Sequence, residues 1–144
     1  MPALEDLEAV IEKYHLALGA FFKGDPAPME ELYSHRDDVS LANPFGPPTR
    51  DWNHVAATMA HAASLYTNGQ VIGFESFAGY VTAELAYIVE VERYEARVGA
   101  RETASPLALR VTTIFRNEDD AWKVVHRHAD TITTTRPAES VIQA

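Results

Sequence analysis

The sequence has 144 residues, 47% of them apolar, and sets 12 Lys and Arg against 21 Asp and Glu, for a formal net charge of −9 and a pI near 5.0. That length fits one core and that apolar share excludes a disordered chain, while the acidic balance disfavours nucleic acid, because neutralising phosphates takes clustered Lys and Arg. With no cysteine, disulfides, thiolate metal sites and cysteine nucleophiles are excluded.

The first ten residues are acidic and lack the basic segment of a secretory signal. No apolar run approaches the roughly 20 residues of a membrane helix. A cytoplasmic protein is the default expectation. The one dense basic stretch, Lys123 to Arg127, lies inside an apolar strand pattern.

Leu4, Leu7, Ile11, Tyr14, Leu18 and Phe21 step by three and four residues, which predicts a first helix ended by Gly24-Asp25-Pro26. A short second helix is predicted from about Pro28 to Ser34. Asp38 to Ala42 reads as a short strand, and the prolines of Asn43 to Pro48 forbid regular structure there. Thr49 or Asp51 can cap a third helix running to about Tyr66, closed by Asn68-Gly69. Beyond Gly69 the apolar period changes from about 3.6 to 2. Strands are predicted at Val71 to Val81, Leu85 to Val98, Thr103 to Arg116 and Ala121 to Thr133, with the last turn at Asn117 to Asp120.

Three N-terminal helices followed by long hairpin-linked strands predict one α+β domain over residues 1–144, with its core at about 5–133 and a tail from 134. Strands this long must twist, so the antiparallel sheet is expected to curve strongly and form a cone with a cavity at its mouth.

This order of elements resembles the nuclear transport factor 2-like superfamily, and the local motifs resemble its SnoaL-like, ketosteroid-isomerase-like branch. The residues that carry the resemblance are Ala42-Asn43-Pro44-Phe45-Gly46-Pro47, Ala86 to Val89 leading to Glu92-Arg93, Leu109-Arg110-Val111-Thr112, and Trp122 to Asp130. The last stretch is also similar to the end of the calcium/calmodulin-dependent kinase association domain. The resemblance implies a cystatin-like roll. It implies no particular reaction, because the fold hosts several chemistries and non-enzymes.

The candidate catalytic residues are His126 and His128. They are two apart on a strand and share parity with Trp122, Val124 and Asp130, which predicts an inward face. Imidazole titrates near neutral pH and suits proton transfer. A His-x-His pair can also chelate a metal, with Glu92 as third ligand, or simply be hydrogen-bonded; neither a metal nor a cofactor is expected. Arg110 falls opposite His128 if the last hairpin closes over five residues and on the other face if it closes over four. The resemblance favours an inward Arg110, which then needs a carboxylate, and Glu92 is the expected partner. Parity alone sends Glu92 outward, because Ala86, Ile88, Glu90 and Glu92 form the less apolar face of their strand. Asn43, Phe45, Trp52, Tyr14, Tyr87 and Asp130 complete the expected ligand contacts. Arg110, His126 and His128 are expected to converge under the Asn43 to Gly46 loop, with both imidazoles neutral at pH 7.

The pattern predicts a pocket for a small, partly apolar molecule bearing a carbonyl or carboxylate, with or without isomerase, dehydratase or hydrolase chemistry. A non-catalytic binding or oligomerisation module is the alternative. Whichever parity faces inward, Val89 and Val91 or Ile88 and Tyr94 are left outside, so a homodimer through the sheet is expected. Neither nucleic acid nor membrane is an expected partner.

Overall fold

The structure is a computed structural model that describes residues 3–143, with side chains from residue 7 onward. Helix α1 spans Ala3–Phe21 and buries Leu7, Tyr14, Ala17 and Leu18 along one stripe. Its end is closed by Gly24 at φ 97°, where the Gly24 and Asp25 amides donate to the carbonyls of Phe21 and Ala20. Helix α2, Ala27–Leu32, starts with Pro28 in its first turn. Strand β1 (Ser40–Ala42) and strand β2 (Thr49–Arg50) flank the proline-rich loop. Helix α3, Trp52–Ser64, begins after Asp51, whose side chain accepts from the His54 amide.

Four long strands follow: β3 (Tyr66–Val81), β4 (Leu85–Val98), β5 (Ser105–Glu118) and β6 (Ala121–Asp130). They build one curved, unclosed sheet of six strands in the order β2-β1-β6-β5-β4-β3. The result is an α+β architecture with all three α-helices before the long strands, as the periodicity predicts. The sheet is not wholly antiparallel, because β1 pairs with β6 in parallel, Ser40 against His126. The third helix ends at Ser64 and passes directly into β3, so Asn68-Gly69 lies inside a strand and not at a helix end. A 3-10 turn at Ala138–Val141 closes the exposed tail.

The β5–β6 hairpin turns on only two residues, Asp119 and Asp120, both at positive φ. Such a turn matches the right-handed strand twist. Neither the five-residue nor the four-residue closure holds. Strand β3 is an edge strand and carries three register shifts against β4, which blunt the edge against further pairing.

The core lies between the helices and the concave face of the sheet, with Tyr14, Phe22, Tyr33, Tyr94, Phe115 and Trp122 as its large members. Phe22 stacks on Tyr94 at a centroid separation of 3.8 Å. This close approach explains Gly69. A Cβ there would stand 2.2 Å from the Phe22 carbonyl oxygen and 2.6 Å from its carbon, both backbone atoms that cannot yield. Gly69→Ala is expected to destabilise the fold by about 2 kcal/mol or more, at the upper part of the overpacking range. Gly46→Ala, at a site with no neighbour within 4 Å, should stay within about 0.5 kcal/mol of the parent. Urea midpoints of the two variants check this.

Candidate functional site

The chemistry of the site is decided by one extra residue in β6. Phe115 pairs with Val124, but the preceding Ile114 pairs with His126, so Val125 has no partner in the ladder. A β-bulge of this kind reverses the alternation of side chains beyond it. Trp122 and Val124 face the core as their parity predicts. After the bulge Arg127 and Ala129 face the core, and His126, His128 and Asp130 face out.

The inward cation is therefore Arg127, which is only 8% exposed. Its guanidinium donates from Nη1 to Glu92 Oε2 at 2.7 Å and from Nη2 to Glu92 Oε1 at 2.8 Å. Nη1 also donates to the Tyr14 hydroxyl. Since the Tyr14 oxygen accepts that bond, its own proton is free to go to Thr113 Oγ1, 2.6 Å away. The Tyr94 hydroxyl donates to Glu92 Oε1 at 2.6 Å. Four elements thus meet at one bidentate pair: α1 supplies Tyr14, β4 supplies Glu92 and Tyr94, β5 supplies Thr113 and β6 supplies Arg127.

The charges in this cluster support one another. Burial works against the Arg127 charge, but the Glu92 carboxylate outweighs it and raises the guanidinium well above its ordinary range. Burial, reinforced by Glu92, holds the Tyr94 phenol well above its usual value. Tyr14 is likewise raised by burial, against the pull of Arg127. All three phenol and guanidinium groups are donors at neutral pH.

Arg127 also lines a cavity of about 40 Å³ between the helices and the sheet. Leu18, Phe21 and Phe22 of α1, Met59 and Ala62 of α3, Leu109 and Ala129 of the sheet, and the Asn43–Phe45 loop enclose it. Apart from Arg127 its polar lining is Tyr66 and Asn43; none of its residues is His, Asp or Glu. Burial pushes the Tyr66 phenol up to about 12, so it too remains a donor. Asn43 Oδ1 accepts from the Phe45 amide at 3.0 Å, a turn that holds Phe45 over the mouth, where it stays 45% exposed.

The structure brings together only part of the expected set. Asn43 and Phe45 line the cavity, and Tyr14 and Glu92 lie directly behind Arg127. Glu92 points inward and is fully buried, contrary to strand parity, because the two carboxylates on that face both have cationic partners or imidazoles: Glu92 has Arg127, and Glu90 has His15 Nε2 at 3.0 and 2.9 Å. The expected pairing of Glu92 with Arg110 is not formed. Arg110 lies on the convex face and binds Asp130 at 3.0 and 2.7 Å, since its ladder partner Asp130 is also turned outward by the bulge. The expected convergence of Arg110, His126 and His128 under the Asn43 loop is therefore corrected: none of the three lines the cavity.

His126 bonds Ser40 Oγ through Nδ1 at 2.7 Å, and His128 bonds Asp130 at 3.1 Å. Burial and the neighbouring His128 lower the His126 imidazole, against the opposing Ser40 hydrogen bond. Trp52 stacks on His35 at the far end of α3, and Tyr87 is 41% exposed on the convex face, so neither reaches the cavity. Sequence reasoning missed Arg127, Tyr94 and Thr113. The signal for Arg127 was present, as the basic end of a stretch in an apolar strand, but assigning it required the position of the bulge.

Removing one member of a buried pair leaves the other charge uncompensated, which costs about 3–5 kcal/mol. Arg127→Met and Glu92→Gln should each destabilise by roughly that amount, and Arg127→Met combined with Glu92→Leu by clearly less than the sum of the two single losses. Chemical denaturation of the three variants measures it.

A family model described as SnoaL-like domain matches residues 7–132. Among curated proteins no sequence match is found. Solved structures share the fold at low identity. A nuclear transport factor 2-like superfamily protein from Salmonella enterica is 17% identical, with 94% of each chain covered and a TM-score of 0.74. A ketosteroid isomerase-like protein from Erwinia carotovora is 17% identical, with 91% of this chain and 97% of that chain covered and a TM-score of 0.74. A protein with a cystatin-like fold from Novosphingobium aromaticivorans is 17% identical, with 98% and 91% covered and a TM-score of 0.68. The chain belongs to the SnoaL-like domain family.

Proposed function

We propose that this chain binds a small, partly apolar organic molecule at the mouth of the cone, with a carbonyl oxygen of the ligand accepting from Arg127. The observation that carries this reading is Arg127 in the wall of a mostly apolar cavity. Glu92 and Tyr14 take three of its five N–H groups, which leaves two for a ligand. Tyr66 and Asn43 supply further polar contacts at the same wall.

The charge state of the pair favours a neutral acceptor over a carboxylate. Glu92 already neutralises Arg127, so a bound carboxylate would add an unbalanced buried charge. A ketone, ester or amide oxygen would meet the free donors with no such penalty. The likeness to a ketosteroid isomerase-like protein is consistent with a carbonyl ligand.

At about 40 Å³ the cavity holds only the polar head of such a molecule. The remaining bulk would displace Phe45 and lie against Phe21 and Tyr66. Acid–base turnover has less support than binding, because no imidazole or carboxylate lines the cavity and His126 and His128 lie on the opposite face of the sheet.

A thermal-shift and calorimetric screen with matched pairs of cyclic ketones and carboxylic acids tests the reading. Ketones should bind at least about tenfold more tightly than the acids of the same size, a difference of about 1.4 kcal/mol. Ala129→Val, which fills the cavity with a small apolar group, should abolish the shift while the far-UV spectrum is unchanged. Equal or tighter binding of the acids would reject the carbonyl assignment, and no ligand-induced shift at hundreds of micromolar would reject the pocket.

A further inference from the structure

Arg127 keeps one edge of its guanidinium open. Glu92 takes the end of the group, with one hydrogen from each Nη, and the Tyr14 hydroxyl takes the second hydrogen of Nη1. The second hydrogen of Nη2 and the hydrogen on Nε remain. These two share the side edge of the planar group and point the same way, as a parallel fork.

Among the described residues, the buried side-chain atoms without a hydrogen-bond partner are Thr49 Oγ1 and Arg97 Nε. Arg127 Nε, which no described residue engages, is not sealed in with them, so it opens onto free space. The space that Arg127 borders is the cavity. Tyr66 stands alike: the residue is only 5% exposed, no described residue engages its hydroxyl, and it lines the same cavity.

The polar side chains of the wall thus offer donors. Arg127 gives two, Tyr66 gives one, and Asn43 gives its amide hydrogens, while Asn43 Oδ1 is already taken by the Phe45 amide. A head group with acceptors alone suits such a wall. One with an N–H or O–H of its own sets donor against donor.

We propose that the cavity selects a lactone, whose carbonyl and ring oxygens both accept from the open edge of Arg127. This rests on the carbonyl reading above and narrows it. An ester group sets its two oxygens at the spacing of a carboxylate, which the guanidinium fork matches, and it brings no charge to unbalance the Arg127–Glu92 pair. In an open-chain ester the alkyl group lies on the carbonyl side and covers that edge. Ring closure turns it away, so both oxygens of a lactone face one direction. A ring ketone meets the fork with one oxygen. A lactam of the same ring presents an N–H where the lactone has its ring oxygen, and that N–H meets the second donor of the fork. Phe21, Phe45 and Tyr66 border the cavity with aromatic rings, so a fused benzene ring gives a probe apolar area without a further polar group.

Titration calorimetry with phthalide, indanone and isoindolinone tests this. The three share one benzo-fused ring and differ in a single ring atom: oxygen, carbon or nitrogen. Phthalide should bind at least about threefold more tightly than indanone, by one added hydrogen bond, and at least about tenfold more tightly than isoindolinone, whose N–H leaves a buried donor unmet. Tyr66→Phe should weaken all three by a similar factor, about threefold to tenfold, and keep their order. Arg127→Lys, which keeps the charge beside Glu92 but has no fork, should bind phthalide and isoindolinone within about twofold of each other, with circular dichroism confirming the fold of both variants. In the parent, which needs no substitution, phthalide should move the Arg127 Nε resonance in nitrogen-15 NMR spectra and leave that of Arg110 in place. Isoindolinone binding as tightly as phthalide, with indanone bound as well, overturns the lactone assignment while the carbonyl reading stands. Phthalide binding with the Arg127 Nε resonance unmoved overturns the role of the open edge. No binding of any of the three at hundreds of micromolar overturns the lactone assignment and the carbonyl reading together.

Discussion

Burying a guanidinium is the most demanding step in this fold, and the arrangement around Arg127 follows from it. An arginine in an apolar interior is tolerated only with a carboxylate in close, well-aligned contact. Glu92 provides the carboxylate, and Tyr94 and Tyr14 satisfy oxygens and protons that the pair alone leaves open. Thr113 completes the chain of bonds from the opposite strand. Because the partners come from α1, β4, β5 and β6, the cluster fixes the first helix against the sheet and the register of three strands. The apolar core of Phe22, Phe115, Leu18 and Val111 closes around it.

The same constraint separates the two faces of the sheet. On the concave side, the unpaired Val125 brings Arg127 under α1 and beside Leu41, Leu109 and Ala129, where it lines the cavity. On the convex side the same shift puts two imidazoles next to Ile114 and Thr112. Buried polarity and exposed apolarity are thus coupled. Strand β4 spends its inward positions on Glu90, Glu92 and Tyr94 and leaves Leu85, Tyr87 and Val89 facing out.

Much of the fold was legible in the sequence because its signals are local. The three-and-four spacing from Leu7 to Phe21, the prolines of the Asn43 to Pro48 loop and the alternation in Leu85 to Val91 each depend on neighbours a few residues away. The boundaries of β4 agree with that reading, and those of β5 shift by two residues because the turn tightens onto Asp119 and Asp120. The site was less legible. Facing in β6 depends on whether one residue drops out of a ladder with β5, and no composition or period marks Val125 as that residue. Parity then puts His126, His128 and Asp130 inside, and the resemblance puts Arg110 beside them. Parity alone misses the facing of Glu92 for a related reason. Comparing the apolarity of two faces counts a carboxylate as solvent-seeking, whereas here it is inside because a cation from another strand is inside with it. Asn43 and Phe45 line the cavity because loop position, not parity, decides where they lie.

The central claim is that Arg127, and not Arg110, is the buried guanidinium. Nitrogen-15 NMR of the arginine side chains tests it most directly. Arg127 should show separately resolved, slowly exchanging Nη protons with through-space contacts to the rings of Tyr14 and Tyr94, and Arg110 should show averaged, rapidly exchanging ones. Protected Nη protons on Arg110, with fast exchange on Arg127, would contradict the bulge at Val125 and the account built on it.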